Sequence, residues 1–137
     1  KEFGVTAVQT PEELYEKSDI VSLHMPKNDH TKESVNYNLL SKLPQNGIVI
    51  NTARKEVVNE ADLLRIMSER PKFKYGTDIQ LSAHNEATEK FGRRYLASIK
   101  KCGAQTAEAN INAGLAAASQ IVRFFAEGDE TFRVNPR

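Results

Sequence analysis

The sequence contains a single cysteine, Cys102, and no tryptophan. One thiol excludes an internal disulfide framework and points to a reducing compartment, so a cytoplasmic location is expected. No apolar run approaches the roughly 20 residues that a membrane-crossing helix needs. No basic–apolar–small-residue leader is visible at the start. Neither charge is in excess: 19 Lys and Arg face 18 Asp and Glu, a formal net charge of +1. That balance gives no reason to expect nucleic acid or an anionic membrane as the main partner. No Cys/His cluster has metal-ligand spacing, so no metal is expected. Internal repeats and low-complexity segments are missing as well.

What is present is an ordinary globular balance. The 137 residues are 39% hydrophobic and 27% charged, enough for one domain with a real core. Four short apolar runs read as strands: Val5–Val8, Ile20–Leu23, Ile48–Ile50 and a weaker Tyr75–Thr77. Helical segments separate them. Short apolar strands alternating with helices predict an α/β fold with a parallel sheet covered on both faces.

The helix signals are specific. Thr10-Pro11-Glu12-Glu13 offers an N-cap, a proline at the first helical position and a glutamate three residues after the cap, with Leu14 expected to face inward. A short helix is expected within Val35–Leu43, ended by Pro44, and Gln45-Asn46-Gly47 turns the chain into the next strand. Asn59 can cap a helix whose apolar face is Leu63, Leu64, Ile66 and Met67, and which must stop before Pro71. Thr106 can cap a long helix to about Glu127, with Gly128 as its stop. That helix is rich in small residues, including Ala113, Gly114, Ala116, Ala117 and Ala118. They suit high helix propensity or close packing against another domain or subunit.

Three polar groups fall at or just beyond strand ends: His24 after Leu23, Arg54 after Ile50-Asn51-Thr52-Ala53, and Asp78 after Tyr75-Gly76-Thr77. Each alone reads as a solvated loop charge. In an open parallel sheet, however, ligands bind outside the carboxyl ends of strands, so together they point to one cleft. A Gly-x-Gly-x-x-Gly turn, which would place a pyrophosphate on a helix N-terminus, does not occur. The chain opens on Lys1-Glu2-Phe3-Gly4, almost directly on the first expected strand. It is therefore expected to be the carboxyl-terminal part of a larger protein, with feeble dinucleotide binding and no turnover by itself.

Asp19-Ile20-Val21-Ser22-Leu23-His24-Met25-Pro26, Thr31, Ile50-Asn51-Thr52-Ala53-Arg54 and Glu60-Ala61-Asp62-Leu63 together resemble the signature of D-isomer-specific 2-hydroxyacid dehydrogenases. Gly103-Ala104-Gln105-Thr106-Ala107-Glu108-Ala109-Asn110-Ile111-Asn112, with Arg54-Lys55 and the ending Phe132-Arg133-Val134-Asn135, looks like the bacterial-type D-3-phosphoglycerate dehydrogenase subgroup. The resemblance implies a partial Rossmann-like doubly wound sheet lacking its first strand–turn–helix unit. It implies NAD as cofactor and a 2-hydroxy acid as substrate, with 3-phosphoglycerate oxidised at the entry to serine synthesis. The exposed side of such an incomplete sheet is a pairing hazard, so a homodimer is expected, and the small residues of the last helix make residues from about 106 to 137 expected to pack on a catalytic domain or partner subunit.

Position by position, the resemblance gives Arg54 the substrate carboxylate and carbonyl; its planar fork suits two-point binding. Asp78 would accept from the nicotinamide amide. Leu23, His24 and Pro26 would line the adenine side, with Thr31 nearby. Thr52 and Ala53 would pass the nicotinamide ribose, and Gly103 would leave room for the ring. Two departures stand out. Where the family carries an acid/base His, the register places Lys101, and where it carries a Glu to hold that His, the residue is Ala83. The pair of changes is self-consistent, because an imidazole needs an acceptor to fix its tautomer and an amine does not. Lysine normally titrates near pH ~10.4. Burial under a cofactor and the charge of Arg54 would both lower that value.

His84, with Glu86 to orient it, is a rival acid/base in what reads as an irregular polar stretch. His30 is expected to be solvated, and Cys102 to pack. Lys55 and Lys100 are candidates for a substrate phosphate. Two other functions compete: a dehydrogenase for another 2-keto acid such as glyoxylate or D-lactate, and a non-catalytic NAD-binding scaffold that has lost turnover.

Overall fold

Four strands form one sheet in the order in which they occur along the chain, every pair parallel: β1 (Ile20–Leu23), β2 (Ile48–Asn51), β3 (Lys74–Thr77) and β4 (Tyr95–Ala97). Parallel neighbours require a crossover. Helices α2 (Tyr37–Lys42), α3 (Glu60–Glu69) and α4 (His84–Phe91) supply the three, and α1 (Pro11–Glu16) leads into β1. The computed structural model describes residues 4–99 and 106–134. The chain divides into two units, residues 1–100, which hold the sheet, and residues 101–137, which hold α5 (Ala107–Glu127).

Local chemistry sets the helix boundaries. The Thr10 hydroxyl accepts from Glu13 N at 3.2 Å, and Glu13 returns a carboxylate to Gln9 N at 3.1 Å. Asn36 and Asn59 cap α2 and α3 in the same way, through Leu39 N and Asp62 N. The carboxyl ends are finished from a distance. Arg70 donates to the carbonyls of Ser41 in the last turn of α2 and Leu43 just after it, and Arg94 to those of Met67 in the last turn of α3 and of Arg70 and Phe73 after it. Carbonyls in the last turn of a helix have no intrahelical partner, and a guanidinium can supply one.

Strand register explains the core. Val21, Val49, Tyr75 and Tyr95 lie side by side across the sheet and are all buried. Leu40, Leu63, Ile66, Met67 and Phe73 pack into the same core cluster. The next row, Ser22–Ile50–Gly76–Leu96, points the other way, and Leu96 is 65% exposed. Among residues 4–99 the helices cover the face that carries Val21, Val49, Tyr75 and Tyr95.

Several expectations are corrected. Val5–Val8 pairs with no strand and is mostly exposed; β-propensity by itself does not make a ladder. In α1 it is Tyr15, not Leu14, that turns inward; Leu14 is 42% exposed. The polar stretch from His84 is a helix, α4, rather than irregular chain. The helix within Val35–Leu43 begins only at Tyr37, and Val35 instead bridges to Val58.

In the second unit, α5 is capped by Thr106 through Ala109 N and ends at Gly128 in the left-handed region (φ 68°), as the sequence indicates. Phe124, Phe125 and Phe132 line a cavity of about 430 Å³ there, with Arg123 over the Phe132 ring at 5.5 Å. Among the described residues no helix is long and apolar enough to cross a membrane.

Candidate functional site

Asn51, the last residue of β2, is fully buried and polar, which requires it to be hydrogen-bonded. Its side-chain amide donates to the Arg54 carbonyl at 3.0 Å and to the Tyr75 hydroxyl at 3.2 Å, and its side-chain oxygen accepts from Ala53 N at 3.0 Å. These bonds bend the chain sharply beyond the strand, leaving Thr52 and Arg54 exposed while Ala53 is buried. The Arg54 guanidinium donates to the Ala53 carbonyl at 2.8 Å. Cations crowd this corner. Glu56 is held below the ordinary carboxylate range, first by its own main-chain amide and then by Lys27, Lys55 and Arg54.

The main-chain carbonyl of Asn51 also accepts from Asp78 N, at 3.4 Å. One residue therefore ties the Arg54 bend to the residue that follows β3. Beyond Asp78 the chain is pegged by side chains. Thr77 accepts from Ile79 N, Tyr95 OH from Leu81 N, and the Glu60 carboxylate from Ser82 N and Ala83 N at 3.0 and 2.7 Å. Lys55 Nζ reaches Ser82 Oγ at 3.3 Å. Burial pushes the phenols of Tyr75 and Tyr95 up, and their rings stack with centroids 6.3 Å apart.

Thr52 and Asp78 line one open pocket of about 420 Å³ at the carboxyl ends of β2, β3 and β4, together with Ile50, Gly76, Thr77 and Leu96. A Cβ added at Gly76 would meet no atom within 4 Å, so there is open space above it. Asp78 Oδ1 is buried with no hydrogen-bond partner among the described residues. A buried carboxylate oxygen in that state is an acceptor awaiting a donor. The residues present therefore fit a ligand that brings an amide to this edge, as a nicotinamide does.

The residues expected on the adenine side are spread differently. Leu23 and Thr31 line a separate cavity of about 480 Å³ beside β1, with Tyr15, Met25 and Leu39. Leu23 is buried in the core. Thr31 braces its own loop, its hydroxyl donating to the Pro26 carbonyl at 2.6 Å. His24 and Pro26 are exposed, and His24 Nε2 lies 2.9 Å from Ser22 Oγ on the face opposite the core. His84 stands at the start of α4 with Nδ1 3.1 Å from Tyr95 OH. Lys100, Lys101, Cys102 and Gly103 lie outside the described residues. No group of His, Cys, Asp and Glu suited to a metal occurs among the described residues.

Sequence reasoning gave no role to Asn51, Glu60 or Tyr95. Asn51 carried a signal as an amide-bearing residue closing an otherwise apolar strand, and Glu60 only as part of the Glu60-Ala61-Asp62-Leu63 block.

Comparison with known proteins converges on the same ground. A family profile described as "D-isomer specific 2-hydroxyacid dehydrogenase, NAD binding domain" matches residues 1–98. The crystal structure of an NAD+-bound 3-phosphoglycerate dehydrogenase from Entamoeba histolytica aligns with a TM-score of 0.81 and 44% identity, over 96% of this chain and 44% of that one. A hydroxypyruvate reductase from Thermotoga maritima is 26% identical over 115 residues, 80% of this chain and 37% of that protein. An erythronate-4-phosphate dehydrogenase from Blochmanniella floridana is 45% identical over 58 residues, 39% of this chain and 16% of that protein. The chain thus spans less than half the length of these relatives.

Proposed function

This chain belongs to the family of D-isomer-specific 2-hydroxyacid dehydrogenases, through its NAD-binding domain, and on that premise we propose that it forms the carboxyl-terminal portion of a dehydrogenase that oxidises the 2-hydroxyl of D-3-phosphoglycerate. The observation that supports the reading is the Asn51 junction, whose side-chain amide holds the Arg54 carbonyl and whose main-chain carbonyl holds the Asp78 amide, at the carboxyl ends of successive strands. The 44% identity to a 3-phosphoglycerate dehydrogenase supports the choice of substrate.

In this proposal Arg54 binds the substrate carboxylate with two parallel N–H donors and polarises the reacting oxygen. Asp78 accepts from the nicotinamide amide, with Thr52 and Ala53 along the adjoining ribose. NAD, when bound, supplies the acceptor for the hydride from C2. Lys101 takes the C2 hydroxyl proton and returns it in the reverse direction; its register two residues before Gly103 supports that role. Lys55, next to Arg54 and tethered at Ser82, adds a second cation for the substrate phosphate. The match to a hydroxypyruvate reductase over 80% of the chain favours an unphosphorylated 2-keto acid as the second reading.

The test is steady-state kinetics on the complete polypeptide that carries this chain. Arg54→Ala should lower kcat/KM by about 10²- to 10⁴-fold, the loss of two charge-assisted hydrogen bonds. Lys101→Ala should lower kcat by about 10²- to 10⁴-fold with NAD affinity retained. An active Lys101→Ala enzyme rejects the proton-transfer role. Equal turnover of phosphorylated and unphosphorylated substrates by wild type and Lys55→Ala alike selects the second reading.

A further inference from the structure

The segment after Asp78 is held almost wholly by side chains. The amides of Ile79, Leu81, Ser82 and Ala83 each donate to a side-chain oxygen, from Thr77, Tyr95 and, twice, Glu60. Thr77 and Tyr95 belong to strands β3 and β4, so their bonds tie the loop to its own sheet. Glu60 is different. It is the first residue of α3, six positions beyond Arg54 in the same connection, and its two oxygens reach across to the other loop. Lys55, from that connection too, meets Ser82 Oγ.

We propose that Glu60 is a positioning residue that clamps the Asp78 loop to the Arg54 connection and so sets the placement of the Asp78 carboxylate toward its ligand. The inference rests on the proposed cofactor role of Asp78. The physical argument is one of number and charge. An ionised carboxylate accepting two main-chain amides makes hydrogen bonds roughly twice as strong as neutral ones. Asp78 is anchored on its own side by the Asn51 carbonyl, and no regular element lies between it and Ala83, so the far end of the segment depends on the Glu60 carboxylate. Removing the clamp hands two amides over to water and lets the loop open locally without unfolding the core.

Two measurements test this. Amide hydrogen exchange on the chain compares wild type, Glu60→Gln and Glu60→Ala at Ser82 and Ala83, with Val49 and Tyr75 in the strands as internal reference. Protection should fall at least on the order of tenfold in Glu60→Ala and less in Glu60→Gln, which keeps one acceptor oxygen, with the strand amides unchanged. Cofactor affinity of the complete polypeptide, by NAD+ titration, should weaken in the same order, on the order of tenfold for Glu60→Ala. Normal affinity in both variants, with wild-type binding intact and Asp78→Asn weakening it, overturns the clamp and leaves the role of Asp78 standing. Normal affinity in Asp78→Asn overturns that role and the inference with it. A loss of strand protection in Glu60→Ala also overturns the proposal, because the residue would then support the fold at large.

Discussion

Tyr15 shows how one atom separates burial from satisfaction. Its ring fills the core and the residue is only 3% exposed, yet its hydroxyl has no hydrogen-bond partner among the described residues. Burial pushes its pKa up to about 12. A buried, unpaired hydroxyl costs about 1–3 kcal/mol, so Tyr15→Phe should stabilise the chain by about 1 kcal/mol in urea unfolding; a less stable variant would show that the hydroxyl is engaged. The pH dependence has a definite sign. The folded value lies above the unfolded value of about 10, so the folded state holds this proton more tightly. That contribution is complete below pH ~10 and disappears as the pH rises towards about 12. The Phe variant should lose less stability across that window. The sequence did not reveal which side chain would turn inward. The Thr10 cap set where α1 starts, but a helix of six residues is too short for its periodicity to choose between adjacent Leu14 and Tyr15. Arg54 and Asp78 drew attention in the sequence because each lies at or just beyond the end of a strand-like run. The role of Glu60 was not legible, because its work depends on Ser82 and Ala83, 22 and 23 positions away.

At the level of elements, legibility followed the strength of the stop and start signals. Asn59, Pro71, Thr106 and Gly128 marked their helices correctly. Helix α4 had no such mark: the residue before it, Ala83, makes no side-chain cap. Strand β4 is three residues long, too short for alternation to register. The capping of α3 by Arg94 was equally hidden, since a guanidinium between a glycine turn and a strand reads as a solvated charge. Arg94→Ala should destabilise the chain by about 1–3 kcal/mol, because three carbonyls lose a charged donor. Arg94→Lys should recover only part, as an ammonium lacks the planar fork. Urea midpoints of the two variants check the order, and an unchanged midpoint for Arg94→Ala would reject the capping role.

For the whole molecule, the α/β class and the parallel sheet followed from alternating strands and helices, and the structure agrees. Which face the helices cover did not follow. In Ile20-Val21-Ser22-Leu23 both faces of the strand carry apolar residues, so pattern alone cannot tell a buried face from an open one. With Ile20, Ile50 and Leu96 exposed and no Gly-x-Gly-x-x-Gly turn in the sequence, the 137 residues alone should show no NAD-dependent turnover of 3-phosphoglycerate; measurable reduction of NAD+ by the purified chain would refute this. The two arginines that finish α2 and α3 carry a different implication, for biogenesis. Arg70 closes on Leu43, and Arg94 on Met67, across the same interval of 27 residues. During synthesis, therefore, the last carbonyls of α2 and of α3 can meet their arginines only after the following crossover has been translated.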